Sequence, residues 1–163
     1  MTDKSDHMLS QAYELCEDGN YQEALKLYDL IIEKYPQNIN ALIDKAVTLQ
    51  NLGKVKQAIK LYDKALKIES NNLDALVNKG SALHTIEKYA DAIDCYDLAI
   101  KADKKCAMAI AYKGLSLGEL GNLPDAIKHF KKALTLDKDY DLADISKILA
   151  QNLLKNSEQS KTQ

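Results

Sequence analysis

Apolar residues recur at every third or fourth position along most of the chain, with polar residues between them. This spacing places the apolar side chains on one face of an α-helix. Short polar breaks, such as residues 18–20 and 69–72, interrupt the pattern, and their Gly, Asn and Asp residues favour turns. The pattern therefore predicts eight short helices, each of which depends on its neighbours because so short a helix is unstable alone in water.

The pattern also repeats in detail. Residues 76–99 read LVNKGSALHTIEKYADAIDCYDLA, and two related segments lie at equal distances before and after them: LIDKAVTLQNLGKVKQAIKLYDKA at 42–65 and IAYKGLSLGELGNLPDAIKHFKKA at 110–133. A fainter copy covers residues 8–31. Self-similarity at a fixed period of this size is typical of stacked helix hairpins. We predict one continuous domain over residues 5–155 that contains four repeats, at 5–38, 39–72, 73–106 and 107–140.

The ends of the chain differ from the repeats. Large apolar residues continue at helical spacing after the fourth repeat: Leu142, Ile145, Leu149 and Leu153. Residues 141–155 are therefore predicted to form a capping helix whose apolar stripe covers the last repeat. Residues 1–4 and 156–163 are polar and are predicted to be disordered.

Small and large residues alternate at fixed positions of the repeat. Small residues stand where the two helices of a hairpin approach each other: Ala12, Ala46, Gly80 and Gly114 in the first helices, and Ala24, Ala58, Ala92 and Ala126 in the second. Large aromatic residues stand where neighbouring repeats pack: Tyr28, Tyr62, Tyr96 and Phe130. Interdigitated helix layers require this pairing of small with large side chains. The third turn has Glu87 where the others have Gly, so that turn should avoid positive φ or be strained.

These positions resemble the tetratricopeptide repeat, a helix–turn–helix unit whose copies follow one another at this same period. The resemblance covers about residues 5–140. It implies an all-α fold, a right-handed α-solenoid of antiparallel helix hairpins. It also implies that the protein acts as a non-enzymatic adaptor that binds another protein or peptide.

Composition excludes several other functions. No apolar run approaches the roughly 20 residues of a membrane-spanning helix, and the N-terminus lacks the apolar region of a secretory signal, so we expect a cytoplasmic protein. All 22 basic side chains are lysine and the net charge is −2, which disfavours nucleic acid as a partner. The three cysteines have no metal-binding spacing, so neither a metal nor a cofactor is predicted.

Lysine recurs at one position of three consecutive repeats, as Lys45, Lys79 and Lys113. In one interpretation the aliphatic stems cover the seam between helices while the ammonium groups reach water. In the other, the ammonium groups form a row that meets an acidic partner. The first interpretation is favoured.

In this family the first helices of successive repeats line a concave groove. The resemblance places the following residues on that surface, where we expect them to bind the partner: Leu9, Tyr13, Ile43, Asp44, Val47, Asp74, Val77, Asn78, Ser81, His84, Met108, Tyr112 and Leu115. The carboxylates among them favour a peptide with apolar anchors and neighbouring Lys or Arg residues.

Two alternatives concern the same surface. Part of it, nearest the cap, could pack against the capping helix or a second chain instead: Met108, Ala111 and Leu115. The array could then self-associate as a homodimer through its groove or terminal faces. A different subclass of the family holds the C-terminal carboxylate of chaperones with basic residues, but of the corresponding positions here only Asn78 has compatible chemistry, so that ligand is not expected.

Catalytic patterns are not found in the sequence. Cys16 and His84 occupy equivalent positions two repeats apart, which is too far for a nucleophile and its base. Gly114, Gly118 and Gly121 lie in a helix and its turn, without the preceding strand that a phosphate-binding loop needs. We therefore predict that the protein is not an enzyme.

Overall fold

The structure is a computed structural model that describes residues 4–160, and within this range it contains nine helices and no strand. The helices are α1 (Lys4–Glu17), α2 (Tyr21–Lys34), α3 (Ile39–Asn51), α4 (Val55–Ile68), α5 (Leu73–Thr85), α6 (Tyr89–Ala102), α7 (Ala107–Glu119), α8 (Leu123–Leu136) and α9 (Asp141–Ser160). Successive helices pack against each other in the hairpins α1–α2, α3–α4 and α7–α8. The predicted all-α solenoid of helix hairpins is confirmed as the fold class.

Helix starts follow the period of the sequence. The first helices of repeats 2, 3 and 4 begin at Ile39, Leu73 and Ala107, which are equally spaced along the chain. Helix α9 begins at Asp141, the next position in this series. It therefore occupies the place of the first helix of a fifth repeat.

Turns within the hairpins depend on positive φ. Gly19, Gly53 and Gly121 have φ of +78°, +74° and +79°, and Glu87 at the equivalent position of repeat 3 has φ of +61°. The third turn therefore keeps the conformation of the others and accepts the strain of a side chain in the left-handed region.

The chain divides into two compact units between Ala82 and Leu83, inside α5. Unit 1 contains α1 to α4 and the start of α5, and its core includes the buried side chains of Tyr28 and Tyr62. Unit 2 contains the end of α5 and α6 to α9, with Tyr96 and Phe130 buried. The single domain over 5–155 stays a prediction.

The predicted pairing of small and large residues is clearest at Gly114. A Cβ atom at this position would lie 2.7 Å from Cε1 of Phe130, which is 2% exposed. Only glycine allows the ring to lie this close to α7. The aromatic position and the small position of the repeat are therefore in direct contact in repeat 4.

The recurrent lysines join consecutive repeats. Each ammonium group pairs with an aspartate sixteen residues earlier, on the second helix of the preceding repeat. The pairs are Lys45 with Asp29, Lys79 with Asp63 at 2.7 Å, and Lys113 with Asp97 at 2.5 Å. Because each lysine is neutralised within the chain, a row of cations facing an acidic partner is not supported. The lysine side chains are largely covered, as the first interpretation expects of their stems, but their ammonium groups end at aspartates and not in open water.

Polar side chains at a second recurrent position also connect neighbouring repeats. Cys16 Sγ lies 3.4 Å from Thr48 Oγ1, and His84 Nδ1 lies 2.9 Å from Ser116 Oγ at the equivalent positions of repeats 3 and 4. Between repeats 2 and 3, Gln50 Nε2 donates to the hydroxyl of Ser81 at 3.4 Å. Cys16 and His84 therefore have structural contacts, each with a different repeat.

The capping helix is turned differently from the prediction. Its buried residues are Ala143 and Ala150, which join the core formed by α7 and α8. The large apolar stripe that was expected to cover the last repeat is instead 36–65% exposed: Leu142, Ile145, Leu149 and Leu153. Small alanines allow α9 to approach its neighbours closely. Leu149 and Leu153 border the cleft between α7, α8 and α9, and Leu142 and Ile145 remain exposed.

The ends of α9 and α1 also differ from the expected boundaries. Helix α9 continues to Ser160, so residues 156–160 of the segment predicted to be disordered are helical. Helix α1 begins at Lys4. The rest of the two predicted disordered ends, residues 1–3 and 161–163, lies outside the described residues.

Candidate functional site

Nine of the thirteen predicted binding residues lie in unit 1, on the first helices of its repeats. Leu9 and Tyr13 are on α1; Ile43, Asp44 and Val47 are on α3; Asp74, Val77, Asn78 and Ser81 are on α5. Four others lie in unit 2: His84, Met108, Tyr112 and Leu115. The candidate residues are therefore described unit by unit, and unit 1 contains more of them.

Two adjoining clefts in unit 1 share Tyr13 and Asp44. One, of about 380 Å³, is also lined by Leu9, Ser10, Glu14 and Asn40. The other, of about 310 Å³, is also lined by Cys16, Glu17, Tyr21, Tyr28, Val47, Thr48 and Asn51. We call the two together the Tyr13–Asp44 cleft. Four of the predicted residues are therefore brought together here: Leu9, Tyr13, Asp44 and Val47.

Tyr13 is the exposed aromatic ring of this cleft. Its side chain is 62% exposed although it lies in the middle of α1. A hydrogen bond to Glu17, one turn further along the helix, and the charge of that carboxylate raise the pKa of the Tyr13 hydroxyl. The ring is thus held beside a negative charge, and its face remains accessible to a ligand.

Asp44 is the half-buried carboxylate of the same cleft. Burial raises its pKa above the ordinary value of 3.8, and the nearby charge of Asp74 raises it further. A carboxylate that has lost part of its hydration and faces a second carboxylate gains stability from a neighbouring cation. The cleft therefore combines an aromatic face with negative charge.

Sequence reasoning missed some of the residues that line this cleft. They include Glu17 at the end of α1 and Tyr21 at the start of α2, whereas Asn51, which ends α3, was expected among the polar groups of this surface. Second-helix positions were not considered, whereas the turn of repeat 1 brings Tyr21 of the second helix to the same cleft. The spacing of Tyr13, Glu17 and Tyr21, four residues apart, was a signal that could have indicated them.

Ile43 and Val77 are not available as anchors. Both were predicted to present apolar groups to a ligand, but each is only 6% exposed. Ala111 is completely buried in unit 2. These side chains therefore belong to the buried core and present little surface to a partner. The exposed apolar surface is therefore smaller than the sequence predicted, because it lacks these three residues.

The remaining predicted residues of unit 1 are less enclosed. Asp74 is exposed, near the first turn of α5, and Asn78 is half-buried one turn later. Ser81 is half-buried and accepts the hydrogen bond from Gln50. Asp74 therefore contributes charge near Asp44, while Ser81 serves a contact between repeats.

In unit 2 the predicted residues take several roles. His84 contacts the ring of Tyr89 edge-on, with ring centroids 5.1 Å apart, in addition to its hydrogen bond. Tyr112 is half-buried against Tyr96, at 5.9 Å between centroids. Met108 is 47% exposed on α7. Leu115 lines a cleft of about 220 Å³ between α7, α8 and α9, which favours the alternative that it packs beside the cap.

Residues 4–160 contain neither a membrane-spanning helix nor a metal-binding cluster. No helix in this range is long and apolar enough to cross a membrane. No group of three or more His, Cys, Asp or Glu side chains in the same range is arranged to hold a metal ion.

Family models match most of the repeat region. A model described as "Anaphase-promoting complex, cyclosome, subunit 3" matches residues 17–99, and one described as "Tetratricopeptide repeat" matches residues 85–141. The chain is a tetratricopeptide repeat protein. Proteins built from this repeat are generally non-enzymatic interaction modules.

Solved structures of other tetratricopeptide repeat proteins share the fold. MamA from Desulfovibrio magneticus RS-1 has a TM-score of 0.76 and 23% identity, covering 100% of this chain and 98% of that one. Pseudomonas aeruginosa PilF has a TM-score of 0.84 and 22% identity, covering 94% of this chain and 69% of that one. The first tetratricopeptide repeat domain of Spaghetti (RPAP3), bound to the HSP90 peptide SRMEEVD, has a TM-score of 0.70 and 24% identity, covering 73% and 94%.

At these identities the likeness shows the fold alone. No protein of curated function matches the sequence. What this tetratricopeptide repeat protein binds must therefore be argued from its own side chains.

Proposed function

We propose that this protein is a non-enzymatic adaptor that holds a peptide segment of another protein in the Tyr13–Asp44 cleft. One observation carries the proposal: the exposed ring of Tyr13 shares a cleft with the partly desolvated carboxylate of Asp44. An exposed aromatic residue is a common anchor at protein interfaces. The fold supports this class of function, and a domain of similar fold was solved with a peptide bound.

The chemistry of the cleft selects the charge of the peptide. Glu14, Glu17 and Asp44 all line it, and Asp74 adds to the field at Asp44. A Lys or Arg side chain would offset these charges and could also stack on Tyr13. An acidic segment would be repelled. We therefore propose a peptide that carries a basic residue next to an apolar one, which Leu9 and Val47 would contact.

A displayed library of random peptides, selected on the immobilised protein, tests this proposal. The selected peptides are expected to be enriched in Lys or Arg beside apolar residues. One of them, synthesised with a fluorophore, then gives an affinity by fluorescence polarisation, and the same peptide with Glu in place of each Lys or Arg is the acidic comparison probe. Preferential binding of the Glu-substituted peptide, or selection of acidic peptides, would contradict the proposal.

Substitutions locate the binding surface. Tyr13→Ala and Asp44→Asn are each expected to weaken the selected peptide about tenfold or more, because each removes a contact to a charged group. Asp94→Asn and Leu98→Ala, at exposed positions of α6, are the matched controls and should leave affinity unchanged. Equal affinity for all four variants would place the peptide elsewhere.

Self-association is a second candidate function, and a different surface favours it. Helix α9 exposes five large apolar side chains, whereas the expected groove residues Ile43 and Val77 are buried. An exposed apolar patch on one helix face is typical of an interaction site. If copies associate, we expect them to use this terminal face and to leave the Tyr13–Asp44 cleft open.

A further inference from the structure

Helix α9 presents an uncovered apolar face, which we call the α9 strip. It consists of Leu142, Ile145, Ile148, Leu149 and Leu153, with exposures of 36%, 65%, 48%, 59% and 50%. The opposite face of the helix, with Ala143 and Ala150, packs on the core of unit 2. Leu149 and Leu153 also border the cleft between α7, α8 and α9, and all five side chains of the strip remain accessible.

The α9 strip lacks the features that allow a second helix of the same repeat to pack on it. In repeat 4 the turn after α7 lies at residues 120–122, but α9 continues as helix through the equivalent residues 154–156. Moreover, Ile148 stands where the complete repeats have Ala or Gly to receive their second helix. A hairpin partner could not approach α9 as closely as α8 approaches α7. The strip therefore needs an occupant that accepts large side chains.

We propose that the occupant is the α9 strip of a second copy of this chain, in antiparallel orientation; this inference rests on the second candidate function. The spacing of the strip is self-complementary, because Ile145 and Leu153 each lie four residues from Leu149. A two-fold axis near Leu149 would place Ile145 of one copy against the partner's Leu153, and the reverse. Both copies would then cover the same residues.

Charge favours the antiparallel over the parallel orientation. Asp141 and Lys155 lie near opposite ends of the strip and, at 3.6 residues per turn, on the same side of it. In an antiparallel pair these sides meet, so Asp141 faces the partner's Lys155 at both ends of the contact. In a parallel pair the same flanks would lie on opposite sides of the contact, so the two charges would not meet. The charges thus specify a single orientation for two identical helices.

Light scattering over a range of protein concentrations tests whether the chain dimerises. The wild type is expected to form a dimer, while Ile145→Asp and Leu149→Asp should remain monomeric. Leu98→Asp, at a position 51% exposed on α6, is the matched control and should dimerise as the wild type does. A monomeric wild type at every concentration overturns both self-association and this inference. A dimer that persists in Leu149→Asp overturns only the α9 contact.

Cysteine cross-linking tests the orientation. Leu149→Cys should form a disulfide-linked dimer on mild oxidation, because the two copies of this position meet at the axis. Ile145→Cys is the control: its two copies would lie about 12 Å apart along the helices, too far for a disulfide. The wild type, with Cys16, Cys95 and Cys106, reports background cross-linking. Equal cross-linking of both variants would overturn the antiparallel arrangement.

Charge reversal supplies an independent readout. Asp141→Lys and Lys155→Asp should each raise the dimer dissociation constant roughly threefold to tenfold, since each places like charges together at two symmetric sites. The double variant restores opposite charges and should return to the affinity of the wild type. Additive losses in the double variant would contradict the proposed contact between these residues.

Discussion

The imidazole Nδ1 of His84 lies 2.9 Å from the hydroxyl oxygen of Ser116, and Ser116 is completely buried. This hydrogen bond joins the first helix of repeat 3 to the first helix of repeat 4. It reproduces the contact between Cys16 and Thr48 in the first two repeats. The polar position at the end of the first helix therefore fixes how one repeat sits on the next.

Removal of this hydroxyl is expected to destabilise unit 2. Ser116→Ala leaves the His84 nitrogen without its partner and should lower the free energy of unfolding by about 1 kcal/mol. Ser157→Ala is the control, because its hydroxyl is exposed and bonds only to the carbonyl of Leu154 in its own turn. Urea unfolding followed by circular dichroism measures both. If Ser116→Ala lowered the free energy of unfolding no more than Ser157→Ala, the hydrogen bond between His84 and Ser116 would not contribute to stability.

The two glycines of α7 are expected to respond in opposite ways to alanine. Gly114→Ala should lose about 1–3 kcal/mol, because the new methyl group would overlap the buried ring of Phe130. Gly118→Ala, whose nearest neighbour would be Ala126 Cβ at 3.9 Å, should be neutral or gain up to about 1 kcal/mol from helix propensity. Thermal unfolding of both variants checks this contrast. Phe130→Leu should partly rescue Gly114→Ala, and the absence of rescue would argue against the overlap.

The third turn offers a stabilising substitution. Glu87→Gly removes a side chain from a left-handed backbone and should stabilise the protein by up to about 1 kcal/mol. Gly53→Glu makes the reverse change at the equivalent turn, where there is open space around the Cβ position, and should cost about as much. Chemical denaturation compares the two. A destabilised Glu87→Gly variant would mean that the glutamate makes a favourable contact that outweighs the strain.

Asp44→Asn is expected to separate stability from binding. The fold raises the pKa of the Asp44 carboxyl above 3.8, so the native state favours the protonated form. The ionised carboxylate therefore costs stability at pH values above the native pKa, and this cost disappears as the pH falls below 3.8. The variant should be more stable than the wild type at neutral pH and equal to it at low pH, while it binds the basic peptide more weakly.

Unfolding midpoints across the acidic and neutral range measure this difference, with Asp94→Asn as the exposed control. If Asp44→Asn were less stable than the wild type at neutral pH, the carboxylate would have a favourable partner within the fold. If Asp44→Asn and Asp94→Asn changed the stability of the protein equally at each pH, Asp44 would not be the source of the pH dependence.

Much of the fold was predictable because the repeat period fixes both helix starts and helix pairing. The contact between Gly114 and Phe130 follows from small and large residues at fixed positions. The strain at Glu87 was also foreseen as one of two outcomes. In each case the decisive information is local to one repeat, so the sequence of that repeat contains it.

The candidate site was harder to predict because exposure depends on neighbouring repeats. Ile43 and Val77 share the helical face expected for a groove, yet side chains packed around them leave each only 6% exposed. In α9, hydrophobic periodicity pointed to the face with the largest side chains, whereas the face with Ala143 and Ala150 packs. Large residues predict burial only when the neighbour has room to receive them.

The lysine and aspartate pairs determine where the array could gain repeats. Each pair bridges a junction, so a tandem duplication of repeat 2 or repeat 3 would place a lysine opposite an aspartate at the new junction as well. After repeat 4 the pairing of a lysine with an aspartate sixteen residues earlier is absent. The residue sixteen before Lys147 is Lys131, and Lys147 pairs with Asp144 within α9 instead. The array is thus suited to growth by internal duplication, and the charges that would accept another repeat are missing after α8.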